Sequence, residues 1–178
     1  NASPNFRGLV IGSGSSGTMI ITGGTFSTAG SLAPDIIGNT LSNTGTLTIN
    51  GGNYISGTPG LFLGGGSGNN FLNVQSGTAT ITTLSINTTL ASTTSLTGGT
   101  LEVDKITTSN VGTYTINLDG GTLKAGAGAS GAFMSGLTNA YVKSNGAKID
   151  SNGKNITIAQ NLVDFTTPSG GGLTLNDT

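Results

Sequence analysis

The sequence predicts a single right-handed parallel β-helix of about seven coils, each 22–28 residues long, and three observations carry that prediction. A short unit recurs as Met19-Ile-Ile-Thr-Gly-Gly-Thr-Phe26, Leu47-Thr-Ile-Asn-Gly-Gly-Asn-Tyr54, Leu72-Asn-Val-Gln-Ser-Gly-Thr-Ala79, Thr94-Ser-Leu-Thr-Gly-Gly-Thr-Leu101 and Ile116-Asn-Leu-Asp-Gly-Gly-Thr-Leu123. The units align without gaps, and their starts stand 28, 25, 22 and 22 residues apart. Within each unit apolar and polar residues alternate up to a glycine corner, which reads as strand, corner, strand. A repeat of this length cannot bury its own apolar face, so neighbouring coils must stack on one another.

Composition agrees with that class. The chain has 178 residues, enough for one buried core, and we read it as one domain. Charged residues make up 7%, against roughly a quarter in ordinary globular chains, and 32 residues are glycine. Disordered chains are usually charged and lack β-branched runs, whereas here Ile, Val, Leu and Thr return in register. A net charge of -1 and a single arginine, Arg7, offer no electrostatic footprint for nucleic acid or an anionic membrane surface. Cysteine and histidine are absent, which removes disulfides, thiolate metal sites and the commonest general base. No apolar run reaches the ~20 residues of a helical membrane span. No cofactor or metal is expected.

Taken in order, residues 1–17 form a lead-in strand, Leu9-Val-Ile11, and the loop Gly12-Ser-Gly-Ser-Ser-Gly17. Regular coils occupy 18–125. Ala33-Pro34-Asp35 reads as an exposed turn between the first two units. Ile36-Ile37-Gly38 and Leu61-Phe-Leu-Gly64 each lie 13 residues ahead of a corner glycine, Gly51 and Gly77, which gives every coil a further apolar strand. Ile81, Leu84, Ile86 and Leu90 are added inward candidates. Stacking at about 4.8 Å predicts the internal ladders Met19/Leu47/Leu72/Thr94/Ile116, Ile21/Ile49/Val74/Leu96/Leu118 and Phe26/Tyr54/Ala79/Leu101/Leu123. The corner ladder is Gly24/Gly52/Gly77/Gly99/Gly121, and Glu102 is set over Lys124 as an exposed ion pair. Residues 126–139 read as a loop excursion, with Phe133, Met134 and Leu137 tucked against the stack. Looser coils fill 140–178, and Gly170-Gly-Gly-Leu-Thr-Leu175 opens a last strand whose unpaired edge we expect another copy or an adjoining segment to cover.

Gly98-Gly-Thr-Leu-Glu-Val103, Asp119-Gly-Gly-Thr-Leu-Lys124 and Asn145-Gly-Ala-Lys-Ile-Asp-Ser-Asn-Gly-Lys-Asn-Ile-Thr-Ile158 resemble the autotransporter-associated β-strand repeats of large bacterial surface proteins. The resemblance is best over 94–160. It implies a parallel β-helix that is secreted and presented outside the cell as a passenger or stalk, with no catalytic residues.

Candidate chemistry is sparse. Gly12–Gly17 and Gly126–Gly131 match G-x-G-x-x-G, but a strand rather than a helix follows Gly17, so neither fits a dinucleotide. Gly65-Gly-Ser-Gly-Asn-Asn-Phe-Leu-Asn73 approximates a calcium nonapeptide with Asn70 in place of the carboxylate. Glu102 and Asp104 share the outer face of one strand and are the best acid pair for a carbohydrate-active enzyme. Thr46/Thr48, Thr78/Thr80, Thr80/Thr82 and Thr113/Thr115 could rank hydroxyls for ice, although unequal coil lengths argue against it. Tyr114 and Tyr141 could stack on glycans, whereas Tyr54 falls in an internal ladder. Sequons begin at Asn1, Asn87, Asn155 and Asn176. The reading that best fits is a secreted, non-enzymatic structural protein that assembles end to end or serves as a stalk. An adhesin passenger, a β-helix enzyme and an ice binder are the alternatives.

Overall fold

The computed structural model describes residues 8–39, 42–66, 68–109, 112–165 and 171–178. Among them there is no helix, and the strands form a parallel β-solenoid of about seven turns. Coil one holds β1 (Val10–Ile11), β2 (Gly17–Ile21) and β3 (Thr25–Ser27), and coil two holds β4 (Asp35–Ile37) and the long β5 (Gly45–Ile55). Coil three contains β6 (Leu61–Leu63) and the first part of β7 (Asn70–Ile86). The end of β7 opens coil four, which continues in β8 (Ala91–Leu96) and β9 (Thr100–Thr108). The tail of β9 starts coil five, with β10 (Thr113–Leu118) and β11 (Thr122–Ala125). Coil six is β12 (Gly131–Ser135), β13 (Asn139–Val142) and β14 (Ala147–Asp150). Coil seven is β15 (Ile156–Ala159), β16 (Val163–Asp164) and β17 (Leu173–Asn176).

Every pairing is parallel, and each strand pairs with its equivalent in the adjoining coil, on both sides within the stack and on one side in the first and last coils, so the coils share three faces. On the second face Ile21, Ile49, Val74, Leu96, Leu118 and Val142 pair in succession. On the third, Phe26, Tyr54, Ala79, Leu101, Leu123, Ile149 and Leu175 do the same. Met19, Leu47, Leu72, Thr94 and Ile116 form the remaining expected column. Its middle members are buried, whereas Met19 and Phe26 in the first coil are only half covered. Alternation along each strand thus turns the apolar set inward, and stacking like on like supplies the burial that one coil lacks.

The corners are tight because the backbone of one coil sits on that of the next. A Cβ on Gly77 would lie 2.0 Å from the Gly52 carbonyl oxygen, and one on Gly99 would lie 2.5 Å from that of Gly77. Both also have positive φ, 79° and 61°.

Four expectations are corrected here and one is refined. The refinement, taken first, is the corner ladder, whose glycines stack in one column as expected but do not share one backbone conformation. Gly24, Gly77 and Gly99 do take positive φ, but in coils two and five the left-handed residue falls one position earlier, at Gly51 (114°) and Gly120 (99°). Gly52 and Gly121 are instead buried and lie outside that region of φ. A Gly-Gly corner lets either residue make the turn. What requires glycine at position 121 is crowding, since a Cβ there would stand 2.6 Å from the Gly98 carbonyl oxygen and 2.7 Å from the Leu96 side chain.

Asp35, second, is not in an exposed turn: it is fully buried in β4, in the column that continues through Leu61, Leu84, Ile106, Met134 and Ile158. Third, Leu90 is 52% exposed at a corner rather than inward. Fourth, residues 126–139 are not simply an excursion, because β12 is the first-face strand of coil six and pairs with both β9 and β15. Its register shifts between Ala132 and Met134, where one extra residue, Phe133, turns into the core. Finally, Glu102 does pair in register with Lys124, but the ion pair is Lys124 Nζ to Asp150 Oδ2 at 3.9 Å.

Candidate functional site

The interior is closed through coil six and opens at coil seven. Ile149 of β14 is still buried, but one coil on, its partner Leu175 is 70% exposed and Leu173 is 50% exposed. With Ile156, Ile158 and Leu162, which are half covered, these side chains line a cavity of about 530 Å³. The polar rim consists of Ser151, Gln160, Asn176 and Asp177. The residues are apolar because they continue the ladders of the previous coils. The arrangement can do one thing chemically: accept apolar side chains together with the backbone hydrogen bonds of a further parallel strand on each of three faces.

Beside this mouth, on the outer side of the second face, Tyr141 and Phe165 meet with ring centroids 4.4 Å apart and an interplanar angle of 40°. Lys143 Nζ lies 3.6 Å from the Phe165 centroid and 5.1 Å from that of Tyr141. Phe165 remains 57% exposed.

The other candidates are scattered. Tyr114 is not available to a sugar: it is buried, its hydroxyl donates to the Thr88 carbonyl at 2.9 Å and accepts from the Gly112 N–H at 3.0 Å. Asn70 is buried as well, its amide accepting from Gly45 N–H and donating to the Gly68 carbonyl, both at 2.9 Å, so it braces a corner and does not face a cation. Among the described residues no group of three acidic, His or Cys side chains could hold a metal. Glu102 and Asp104 stand on the outer side of β9, half covered, and Asp104 Oδ1 is engaged by the Gly128 N–H at 2.9 Å. The threonine pairs divide between faces: Thr46, Thr48, Thr113 and Thr115 lie on the second, Thr78 and Thr80 on the third. Phe71 interrupts the row from Thr46 to Thr93. Both G-x-G-x-x-G loops lead into strands, β2 and β12. Of the sequons, Asn155 and Asn176 are exposed, Asn87 is half covered, and Asn1 lies outside the described residues.

Compared with known proteins, the chain matches no family model, no curated protein and no solved structure. The site therefore has to be read from its own geometry.

Two polar features escaped the sequence reading. The Asp35 carboxylate is held by the Leu9 N–H, the Thr28 hydroxyl and the Tyr54 hydroxyl, each at 2.5 Å. Burial, and then the hydrogen bond to Asp35, push the Tyr54 hydroxyl well above the ordinary tyrosine range. The second feature is Asp164, which pairs with Val142 and so continues the inward column at the open coil. Its spacing from Val142, one coil length, is the signal that could have placed it.

Proposed function

We propose that this chain is a non-enzymatic structural β-solenoid, secreted and displayed at a cell surface or in a fibre, which lengthens by taking a further parallel β-rung onto coil seven. The observation that carries the reading is the exposure of Leu175, at the end of a column that is buried in every coil from two to six, with Leu173 exposed beside it. An added rung would cover these side chains, at about 25 cal/mol per Å² of apolar surface removed from water, and would satisfy the strand edges. The added rung comes from another copy or from an adjoining segment. The likeness of 94–160 to autotransporter-associated repeats supports the stalk and the extracellular setting. Electron microscopy of the native material tests it: rods or fibres with a continuous axis are expected, and isolated particles whose coil seven stays exposed to hydrogen exchange would sink it.

A second reading, binding of neutral or anionic glycans, draws on the exposed Phe165 ring beside Tyr141 and Lys143. A glycan array probed with the native chain and with Phe165→Ala distinguishes it, since loss of signal in the variant is the outcome this reading requires.

A further inference from the structure

The outward side of the second face carries no charge from coil two to coil six. Every outward side chain of its strands from Thr46 in β5 to Tyr141 in β13 is neutral, whereas the outward positions of the third face hold Glu102, Lys124 and Lys148. Polar groups on the second face are tied in pairs across the rungs: the Asn117 amide donates to Ser95 Oγ at 3.4 Å and the Asn139 amide to Thr115 Oγ1 at 3.3 Å. Each pair keeps a hydroxyl proton to donate and an amide carbonyl to accept with. Two aromatic platforms stand among them. Phe71 points outward between Thr46 and Thr93. Three rungs on, about 14 Å along the axis, Tyr141 lies against Phe165. Resting on the glycan reading, and narrowing it, we infer that this face is a docking plane for a neutral, extended polysaccharide laid along the solenoid axis.

The occupant follows from the chemistry of the face. A protein partner would want a contiguous apolar centre, and here the rings are isolated among hydroxyls and amides. An acidic polymer would want a run of lysine or arginine, and these strands reach none before Lys143, at the far end of the plane. What fits is a partner with hydroxyls at a regular spacing and apolar C–H faces for the rings, which describes an uncharged sugar chain. A sugar in an extended β-linked chain is about as long as one rung is tall, so successive hydroxyls meet successive coils. Phe71, which interrupts the threonine row, is then the platform on which a sugar ring stacks.

The test is affinity electrophoresis of the full chain through gels holding hydroxyethylcellulose, xyloglucan or galactomannan, which are neutral, or alginate or polygalacturonate, which are anionic. At least one neutral polymer is expected to retard the native chain. Phe71→Ala should weaken that retardation by about tenfold, and Thr115→Lys, which sets a charge in the middle of the plane, should abolish it. Thr100→Lys makes the same change on the third face and should leave it as it was. Thermal midpoints establish that each variant is folded, and should Phe71→Ala fail to fold, the two lysine variants decide. Equal retardation of native and Thr115→Lys protein overturns the inference. Retardation by the anionic polymers alone, lost in Phe165→Ala and kept in Phe71→Ala, also overturns it while leaving the glycan reading standing. If no polymer retards the native chain, the neutral plane is refuted, and a blank glycan array then removes the wider reading as well.

Discussion

In coil two the Tyr54 hydroxyl donates to Asp35 Oδ2 across 2.5 Å in a region with no solvent exposure of either side chain. The carboxylate has no cation within ion-pair distance among the described residues; its charge is spread over three donors from two coils. The contact ties the start of the solenoid together, because Leu9 and Thr28 precede Asp35 while Tyr54 follows it. Replacing Asp35 by leucine restores the apolar column but strands the buried Tyr54 hydroxyl, the half-covered Thr28 hydroxyl and the Leu9 N–H, so the expected loss is about 2–4 kcal/mol at neutral pH. Adding Tyr54→Phe to Asp35→Leu should recover part of that loss. Urea denaturation of the two single variants and the double closes the cycle, and strict additivity would show that the pair is not coupled.

The same tyrosine predicts alkaline sensitivity. Its folded-state pKa is raised by burial and by Asp35, so the folded chain holds that proton when the unfolded chain has released it. Stability from this group is complete below about pH 10, the unfolded value, and declines as pH rises beyond it. Native protein should therefore lose stability above that point with tyrosinate absorbance appearing only on unfolding for one of its tyrosines. Tyr54→Phe should flatten the alkaline decline, and an unchanged pH profile in that variant would contradict the assignment.

The legibility of the chain follows from where its repeats are regular. The column from Ile21 to Leu118 could be read because alternation and the corner glycines mark the same positions in five units. Which glycine of a Gly-Gly pair makes the turn could not, since Gly120 and Gly121 are chemically identical and only the stacked coil distinguishes them. Tyr114 was readable, since it alternates in phase with Ile116 and Leu118, but its hydroxyl suggested a surface role that two buried hydrogen bonds satisfy instead. Asp35 was hidden by local chemistry: Pro-Asp is a turn signal, and only the column shared with Leu61 reveals that a carboxylate lies inside. Coil six was obscured because the extra residue Phe133 throws off the count on which register depends.

Thr94 occupies the interior between Leu72 and Ile116, fully buried, and its hydroxyl has no hydrogen-bond partner among the described residues. A valine has nearly the same shape without the polar atom. Thr94→Val should stabilise the chain by about 1 kcal/mol, a rise of roughly 2–4 °C in Tm for a chain of this size. A drop in the calorimetric midpoint would mean that the hydroxyl is satisfied in solution.

Two corner glycines with similar φ separate backbone strain from crowding. Gly24, at 66°, has open space where a side-chain methyl group would go, whereas at Gly77, at 79°, that methyl would strike the Gly52 carbonyl oxygen at 2.0 Å. Gly24→Ala should cost about 1 kcal/mol, the strain alone. Gly77→Ala must also push two coils apart, and a loss of more than about 3 kcal/mol or failure to fold is expected. Equal losses in chemical denaturation would show that the coils do not approach so closely.

Asp150 ties coil six to coil seven as Asp35 ties coil two to coil one. Its carboxyl is held below the usual aspartate range, chiefly by the Thr178 hydroxyl, which donates to Oδ2 at 2.7 Å, and then by the Asn152 N–H, which donates to Oδ1 at 2.9 Å; Lys124 adds a smaller attraction. Because the folded chain binds this proton less readily than the unfolded chain, the stability it contributes is complete above the ordinary carboxylate range, around pH 4, and is lost as pH falls through the lower folded value. Asp150→Asn should therefore be less stable than native protein at neutral pH and should approach it on acidification. Lys124→Ala, which removes a partly exposed ion pair, should cost under about 1 kcal/mol. Urea midpoints taken from neutral pH down to about pH 2 decide the point: parallel curves for native and Asp150→Asn protein would mean that the strap from Thr178 contributes nothing, whereas convergence at low pH places the acid sensitivity of the last coil on this one carboxylate.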